Sequence, residues 1–428
     1  VISFVQARRP TDVNWYPTLS FGYLKSYLKA RLGNSIEFNR IVEPEDAINC
    51  HILAISSTSQ DYGVAKEIAR IVKEEKPEII TILGGHHVSY LPESMSEHFD
   101  IGVIGEGEQT FYELIRALLS GDDIGKIPGL AFHHEGGVIQ TPRRHLIYPL
   151  DMIPIPERDY WDNIYMMSSR GCPYKCAFCT SSMFWDKTRF FSSRYVVTEV
   201  EHILDSLGRN AFINIYDDLF VADRKRLKNI IDLLDKKKVL GKAAYTFSVR
   251  ANMVDDELCE LIKAMNHAGV CFGAESGSDR ILGLMNKQSS VAINQNALDI
   301  LQKHDISANC SFIVGWPGET EEEVRQTYSF ITDNLKEGKL SKAVAINILM
   351  PMPGTPVWDY AIDKGIIPEQ GFDWNRLGIF ASYRHSSAKS FQEWIEMRLE
   401  NDSIYLNEDT LPQERLYKIM EEYEEAIK

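Results

Sequence analysis

Basic residues are in short supply. Against 61 Asp and Glu, the 428-residue chain carries 46 Lys and Arg, a formal net charge of −15. A sequence-independent nucleic-acid binder draws its affinity from Lys and Arg neutralising phosphates, so nucleic acid is not among the expected partners. Long apolar runs are also missing: none approaches the roughly 18 residues that a membrane span needs. The opening VISFVQARRP has no basic segment followed by an apolar stretch, as a secretory signal would. We therefore expect a cytoplasmic protein with no membrane span. Cysteine is sparse and odd in number, seven in all, which argues against a disulfide framework in a chain of this size. There is no internal repeat and no low-complexity tract. What remains is ordinary globular composition, 44 % hydrophobic and 25 % charged, with length for two or three domains at roughly 100–200 residues each.

Up to residue 140 short apolar runs alternate with amphipathic stretches, the pattern of an α/β layer with a parallel sheet. The runs at 1–5, 35–39, 51–56, 78–83 and 101–104 read as strands, and 63–76 and 110–119 as helices. In such doubly wound domains ligands lie beyond the C-terminal strand ends. Those ends are small or polar here: Ser57-Thr58-Ser59, Gly84-Gly85-His86-His87 and Gly105-Glu106-Gly107-Glu108. Residues 141–163 are rich in proline and read as a linker. A second alternation follows over 164–356, with strands expected at 164–168, 211–216, 243–249, 270–274, 308–314 and 344–349. Six βα units suggest an open, partial (β/α)6 barrel. Residues 357–428 form a small C-terminal region containing Trp358, Phe372, Trp374, Phe380 and Tyr383 and ending in an acidic helix.

Four cysteines, Cys50, Cys259, Cys271 and Cys310, sit singly in apolar surroundings and read as small buried hydrophobes. Cys172, Cys176 and Cys179 fall within eight residues, directly after the first strand of the second domain. Spacing C-x3-C-x2-C can hold three irons of a [4Fe–4S] cube and leave the fourth iron without a protein ligand. A closed structural zinc site wants a fourth Cys or His, and none is near. Further polar clusters close the later strands: Asp217-Asp218, Arg250, Glu275-Ser276 and the turn Gly315-Trp316-Pro317-Gly318-Glu319-Thr320. Singly, each has a plain structural reading as a helix cap, a surface ion pair or a tight turn. Together they fall on the end of the barrel where such folds build active sites.

The run Cys172-x3-Cys176-x-Phe178-Cys179 at the end of a barrel's first strand resembles the radical S-adenosylmethionine (SAM) superfamily, over essentially the whole second domain. That resemblance implies a [4Fe–4S] cluster on the three cysteines, whose open iron chelates SAM and cleaves it reductively to a 5′-deoxyadenosyl radical. It implies further that Asp217 and Asp218 hold the methionine amino group, that Arg250, Glu275 and Ser276 contact carboxylate and ribose, and that Gly315 and Pro317 lie near the adenine. The N-terminal domain and proline-rich linker resemble the cobalamin-binding branch of the same superfamily. There, Ser57, Thr58 and Ser59 with Gly84 and Gly85 would bracket the nucleotide tail, His86 would contact the corrin edge, and Gly105, Glu106 and Gly107 would complete the rim. The D-x-H-x-x-G motif that ligates cobalt is absent after the first strand, where the chain reads Ala7-Arg8-Arg9-Pro10-Thr11-Asp12; this argues against histidine ligation rather than against cobalamin.

The resemblance implies a methyltransferase that moves a methyl group from SAM through methylcobalamin to an unactivated carbon. The expected acceptor is a protein or peptide side chain, with glutamine C-methylation of methyl-coenzyme M reductase as one candidate; a small molecule remains open. The aromatics Trp358, Trp374 and Tyr383 are candidates to cover the substrate, and an electron donor is needed as partner. Two rivals stand beside this reading: a cobalamin-dependent cyclase or rearranging enzyme, and a non-catalytic iron–sulfur or zinc module. A methylthiotransferase is disfavoured, because that group resembles a chain with three more cluster cysteines before the barrel, and only Cys50 is there.

Overall fold

A computed structural model describes residues 1–8, 19–41, 46, 49–158, 164–208, 210–369, 371–377, 383 and 386–427. The chain forms two compact units. Unit one comprises Val1–Tyr160 and Pro368–Gly378, and unit two Trp161–Ile367 and Ile379–Lys428.

Unit one is a seven-stranded sheet in the order β2-β1-β3-β4-β5-β6-β7. Its strands are β1 (Ile2–Gln6), β2 (Phe38–Arg40), β3 (Ile52–Ser56), β4 (Ile80–Gly84), β5 (Ile101–Val103), β6 (Leu130–His134) and β7 (Gly137–Gln140). The first five pair in parallel; β1, β3, β4 and β5 are short apolar runs buried on both faces, while the edge strand β2 is partly exposed. The hairpin β6–β7 adds an antiparallel edge that the sequence reading missed. Helices α1 (Leu19–Leu32), α2 (Tyr62–Glu75), the short α3 (His86–Tyr90) and α4 (Gly107–Ser120) complete this unit. Helix α2 buries Tyr62, Ala65, Ile68, Ala69 and Val72 at helical spacing. The proline-rich segment is no free tether. Arg144 pairs with Glu113, the Ile147 N–H donates to Glu106, and the Glu157 N–H donates to Ser26.

Unit two contains a six-stranded sheet in the order β15-β14-β13-β12-β11-β8, with every pairing parallel. Its strands are β8 (Ile164–Met166), β11 (Ala211–Ile215), β12 (Ala243–Ser248), β13 (His267–Glu275), β14 (Ala308–Val314) and β15 (Ala345–Ile348), while β9 (Ser169–Arg170) and β10 (Arg189–Phe190) form a small antiparallel pair. The two edge strands β8 and β15 do not pair, which leaves the half-barrel that the six βα units suggested. The helices are α5 (Thr180–Phe184), α6 (Ser193–Leu207), α7 (Arg224–Lys236), α8 (Asp256–Ala264), α9 (Asp279–Leu284), α10 (Val291–Lys303), α11 (Glu321–Lys336), α12 (Pro356–Asp363), α13 (Phe391–Glu400) and α14 (Gln413–Ile427). Ser192, Asp223, Asp255, Ser290 and Thr320 cap α6, α7, α8, α10 and α11 through their side chains. Each such cap stabilises a helix start by about 1 kcal/mol and fixes where a strand-end loop must finish.

The C-terminal region divides between the units: residues 368–378 belong to unit one and the remainder to unit two. Each of the expected aromatics that the structure describes packs within its own unit. Trp374 packs edge-on to His87, ring centroids 4.5 Å apart, Trp358 is buried in α12, and Tyr383 meets Phe391. Phe380 lies outside the described residues. No helix among the described residues is long and apolar enough to cross a membrane.

Candidate active site

The half-barrel opens on a cavity of about 330 Å³. Cys172, Cys176 and Cys179 line it together with Asp218, Arg250, Glu275 and Lys287. The three thiols lie in the loop between β9 and α5, held from two sides. The Ala177 N–H donates to the Met285 carbonyl, and the Gly171 N–H donates to Asp218. Gly171 has φ +92°, and a Cβ there would meet the Lys187 carbonyl at 2.9 Å, so only glycine turns the chain into this loop. Burial pushes the Cys172 and Cys179 thiols up, and the neighbouring Asp218 carboxylate acts in the same direction. Among the described residues no three Cys, His, Asp or Glu side chains gather around a single point. A cluster whose irons each take one thiolate asks only that the three thiols line one cavity, which they do.

Arg250 supplies the observation that tests the fit of SAM. Its Nη1 lies 3.7 Å from Cys176 Sγ and its guanidinium lies 3.6 Å over the Tyr174 ring. Nε and Nη2 are buried and have no hydrogen-bond partner. A buried guanidinium with two unused donors beside a cavity calls for an anion, and a carboxylate matches its fork. Asp218, which lines the same cavity, offers an acceptor for an ammonium. The cavity therefore suits an amino-acid zwitterion next to the cysteines.

Glu275 and Lys287 form a buried ion pair, Nζ to Oε1 2.7 Å, with side chains 6 % and 8 % exposed. Glu275 adopts φ +65°, a strained value for a non-glycine residue that recurs at functional sites. The sequence reading passed over Lys287, whose only signal is its place in the loop after α9, and it gave no role to Tyr174 or Phe178.

Several expected contacts are corrected by the structure. Asp217 is turned away from the cavity. It accepts from the Ser168 and Ser169 N–H groups at 2.6 and 3.1 Å and from both hydroxyls at 2.5 and 2.7 Å. Side chains alternate at a strand end, so of two adjacent aspartates one faces in and one faces out. Ser276 is buried against Thr327 and the Ser278 N–H. Gly315 and Pro317 are absent from the cavity wall. The Gly315 N–H donates to Glu319, and the neighbouring Trp316 touches Phe178 instead. Of the four scattered cysteines, Cys50, Cys259 and Cys310 are buried and Cys271 is half-buried; Cys271 and Cys310 both line the cavity.

In unit one the expected hydroxyl donors are already engaged. Ser57 Oγ donates to the Thr58 carbonyl, Thr58 Oγ1 to Asp61, and Ser59 Oγ pairs with His87 Nδ1. Glu106 accepts from the Ile147 N–H. His86 is exposed, and His87 is buried, stacked 3.6 Å from Tyr62. The glycines do match a rim that a flat ligand can approach: nothing lies within 4 Å of a Cβ built on Gly105, and the nearest atom to one on Gly84 is 4.0 Å away. Gly85 (φ +99°) passes so close to Ser57 that a Cβ would sit 2.5 Å from its carbonyl oxygen. Gly107 begins α4. Gly84 and Gly105 are thus the positions where no side chain stands in the way of a ligand.

Comparison with known proteins agrees with this geometry. A family model described as the radical SAM superfamily matches residues 166–331, and one described as the B12 binding domain matches 16–115. The chain is 32 % identical over 374 residues to the uncharacterized methyltransferase PH0819 of Pyrococcus horikoshii, covering 82 % of this chain and 80 % of that protein. It is 27 % identical over 348 residues to the anaerobic magnesium-protoporphyrin IX monomethyl ester cyclase of Rubrivivax gelatinosus, covering 75 % of this chain and 62 % of the cyclase. The fold matches the radical SAM methyltransferase TsrM from Kitasatospora setae, solved with cobalamin and a [4Fe-4S] cluster bound, at TM-score 0.71 and 16 % identity over 86 % of this chain and 76 % of that one. The chain belongs to the radical SAM superfamily, in the group that also carries a B12 binding domain.

Proposed function

We propose that the protein is a cobalamin-dependent radical SAM methyltransferase acting at carbon. The observation that carries this reading is the cavity in which three thiols share the lining with the Asp218 carboxylate and with a buried guanidinium, Arg250, two of whose nitrogens have no hydrogen-bond partner. When bound, the [4Fe–4S] cluster and SAM supply a carbon-centred radical, and cobalamin supplies methyl-transfer chemistry. The chain's own residues do the rest. Cys172, Cys176 and Cys179 ligate the cluster, and Arg250 neutralises a carboxylate while its Nη1 faces Cys176 Sγ. Asp218 receives the ammonium, and Glu275, fixed by Lys287, borders the same space. In unit one the glycine rim at Gly84, Gly85 and Gly105 receives the corrin. Reduction of the cluster calls for an external electron donor.

The 32 % identical methyltransferase supports methyl transfer over ring closure. The cyclase relative supports the second reading, a ring-closing or rearranging enzyme. The acceptor we propose is a protein or peptide side chain, glutamine of methyl-coenzyme M reductase being the specific candidate. Anaerobically reconstituted protein, reduced and supplied with SAM labelled at the S-methyl group, should form 5′-deoxyadenosine and pass label to the acceptor, read by mass spectrometry of peptides. Deoxyadenosine with unlabelled product would support the cyclase. No deoxyadenosine at all would leave an iron–sulfur binding module.

A further inference from the structure

Residues 315–320 carry the chain from β14 into α11, and glutamate closes this turn on itself. The Glu319 carboxylate accepts from the Gly315 and Trp316 N–H groups, and the Glu319 N–H donates to the Trp316 carbonyl. Three further backbone groups of the turn are met by side chains from outside it. Arg280 Nη2 donates to the Gly318 carbonyl at 2.6 Å. Arg280 is exposed, so water competes for that bond. Asn407, 89 residues beyond Gly318, takes the other two: its Oδ1 accepts from the Gly318 N–H and its Nδ2 donates to the Glu319 carbonyl, both at 2.7 Å. This side chain is only 2 % exposed. Losing it would leave an N–H and a carbonyl buried without partners, the costly side of any hydrogen-bond exchange.

The segment that bears Asn407 is itself fixed. The Asn407 carbonyl accepts from the Leu411 N–H at 2.9 Å, and Tyr405 packs so close to Gly315 that a Cβ there would lie 2.9 Å from its ring. Arg415, in α14, bonds both carboxylate oxygens of Glu321 at the start of α11. What the turn presents on its other side is Trp316. Its indole is buried and meets the Phe178 ring edge-on, centroids 6.5 Å apart. Phe178 stands between Cys176 and Cys179 and lines the cavity, with Lys287 Nζ 5.8 Å from the same ring. Buried side chains are close-packed, so a shift of the turn is passed on to Phe178 rather than absorbed.

We infer that Asn407 is a positioning residue for the cavity: by holding the 315–320 turn it keeps Trp316 against Phe178 and so fixes the segment that bears Cys176 and Cys179. Asn407 is not among the residues that line the cavity and acts through the turn. This assignment rests on reading the cavity as the SAM site. The role requires an amide. Leucine has neither donor nor acceptor, and aspartate keeps the acceptor for Gly318 but turns a second oxygen toward the Glu319 carbonyl.

The test compares reconstituted full-length protein with Asn407→Leu, Asn407→Asp and Trp316→Leu, and with Arg398→Met as a control. Arg398 is buried in the same C-terminal region, but its hydrogen bonds go to the Tyr417 hydroxyl and the Ile404 carbonyl instead of the turn. S-adenosylhomocysteine affinity is measured by calorimetry below every variant's unfolding transition, together with the electron paramagnetic resonance spectrum of the reduced cluster. Both Asn407 variants should weaken binding about fivefold, the worth of one neutral hydrogen bond, and broaden the cluster signal as the cysteine loop takes more than one arrangement. Arg398→Met should lower the melting temperature yet leave affinity within about twofold. Trp316→Leu should reproduce the loss, and adding Asn407→Leu to it should weaken binding no further, because the two act through one contact. If Asn407→Leu does not fold, Asn407→Asp, which retains the Gly318 bond, carries the same comparison. An equal loss in Arg398→Met, or additive losses in the double variant, overturns the inference. A parent protein that does not bind S-adenosylhomocysteine would sink the proposed function together with the clamp; binding by the parent that both Asn407 variants retain in full would sink the clamp alone.

Discussion

The two units use their strand-end polar residues in opposite ways. In unit one Ser57, Thr58, Ser59 and Glu106 spend their hydrogen bonds inside the fold, and what faces outward is glycine and backbone. In unit two Asp218, Arg250, Glu275 and Lys287 stand around an open cavity, and two nitrogens of Arg250 are unused. A small zwitterion beside a metal cluster needs charged side chains at fixed points. A large, flat ligand is better served by a rim from which side chains have been removed. On the proposed assignment, the strand ends of the two sheets would recognise their ligands by different means.

The largest effect should come from the triad. Cys172→Ser, Cys176→Ser or Cys179→Ser should abolish incorporation of the intact cluster, read as loss of the broad iron–sulfur absorbance and of iron in the desalted protein. Cobalamin uptake by unit one should be unchanged in the same variants. A triad variant that keeps full iron content would break the assignment.

Next comes the neighbouring pair Asp217 and Asp218. Asp217→Ala strands two backbone N–H groups and two hydroxyls in a buried site, and should cost about 3–5 kcal/mol of stability. Asp218→Ala removes a cavity-lining acceptor and should change stability far less while weakening S-adenosylhomocysteine binding by about tenfold. Denaturant unfolding and ligand titration on the two variants separate these outcomes. If Asp218→Ala proved the more destabilising, the division between the two aspartates would be reversed.

The two units should also fail at opposite ends of the pH scale. Glu319 in unit two is buried, and burial pushes its pKa up to about 8. Its Oε2 accepts from the Gly315 and Trp316 N–H groups, and its Oε1 has no partner. A raised folded pKa means that the folded state holds the proton more firmly. This contribution is full below the unfolded value of 4.5 and is lost as pH climbs toward 8, by about 1.4 kcal/mol per pH unit. His87 in unit one is pushed down to about 3 by burial. The contribution from its neutral form is present above 6.5 and is lost as pH falls toward 3. Glu319→Gln should flatten the stability profile on the alkaline side and His87→Gln on the acid side, both read by thermal unfolding across pH 4–9. An unchanged profile in either variant would show that the group does not titrate within the fold.

Most of the fold was legible because periodicity reports burial. All six barrel strands and the five parallel strands of unit one appear as short apolar runs, whereas the β6–β7 hairpin was missed because His133, His134, Glu135 and Gly136 look like loop. The triad stood out by its spacing and Arg250 as a polar residue closing a strand, and both line the cavity. Asp217 and Asp218 could not be told apart, since side-chain direction at a strand end depends on register with β8 and β12. Ser57, Thr58 and Ser59 are ambiguous for a related reason: a hydroxyl suits a ligand and a turn equally well, and their hydrogen bonds within the fold could not be read from the sequence. Asn309 and Ser311, which line the cavity, did leave a trace, as polar residues alternating with apolar ones in a strand that a filled barrel would have made apolar throughout.

The smallest predicted effect is the sharpest test of unit one. Ser59 Oγ lies 3.1 Å from His87 Nδ1, and Ser94 Oγ lies 2.8 Å from Nε2, so the ring is held at both nitrogens while Tyr62 stacks on its face. Ser59→Ala removes one neutral hydrogen bond from a buried network and should cost about 1–2 kcal/mol. If the hydroxyl serves the fold alone, cobalamin affinity should stay within about twofold of the parent at temperatures where both proteins are folded, a change below one hydrogen bond's worth. Gly105→Ala provides the contrast. Space for a methyl group is open there, and the strain comes from φ +77°, so a stability loss of about 1 kcal/mol is expected, accompanied by a fall in cobalamin affinity as the rim gains a side chain. Ser59→Ala with intact stability and weakened cobalamin binding would return that hydroxyl to the ligand, and the division between the two units would dissolve at that residue.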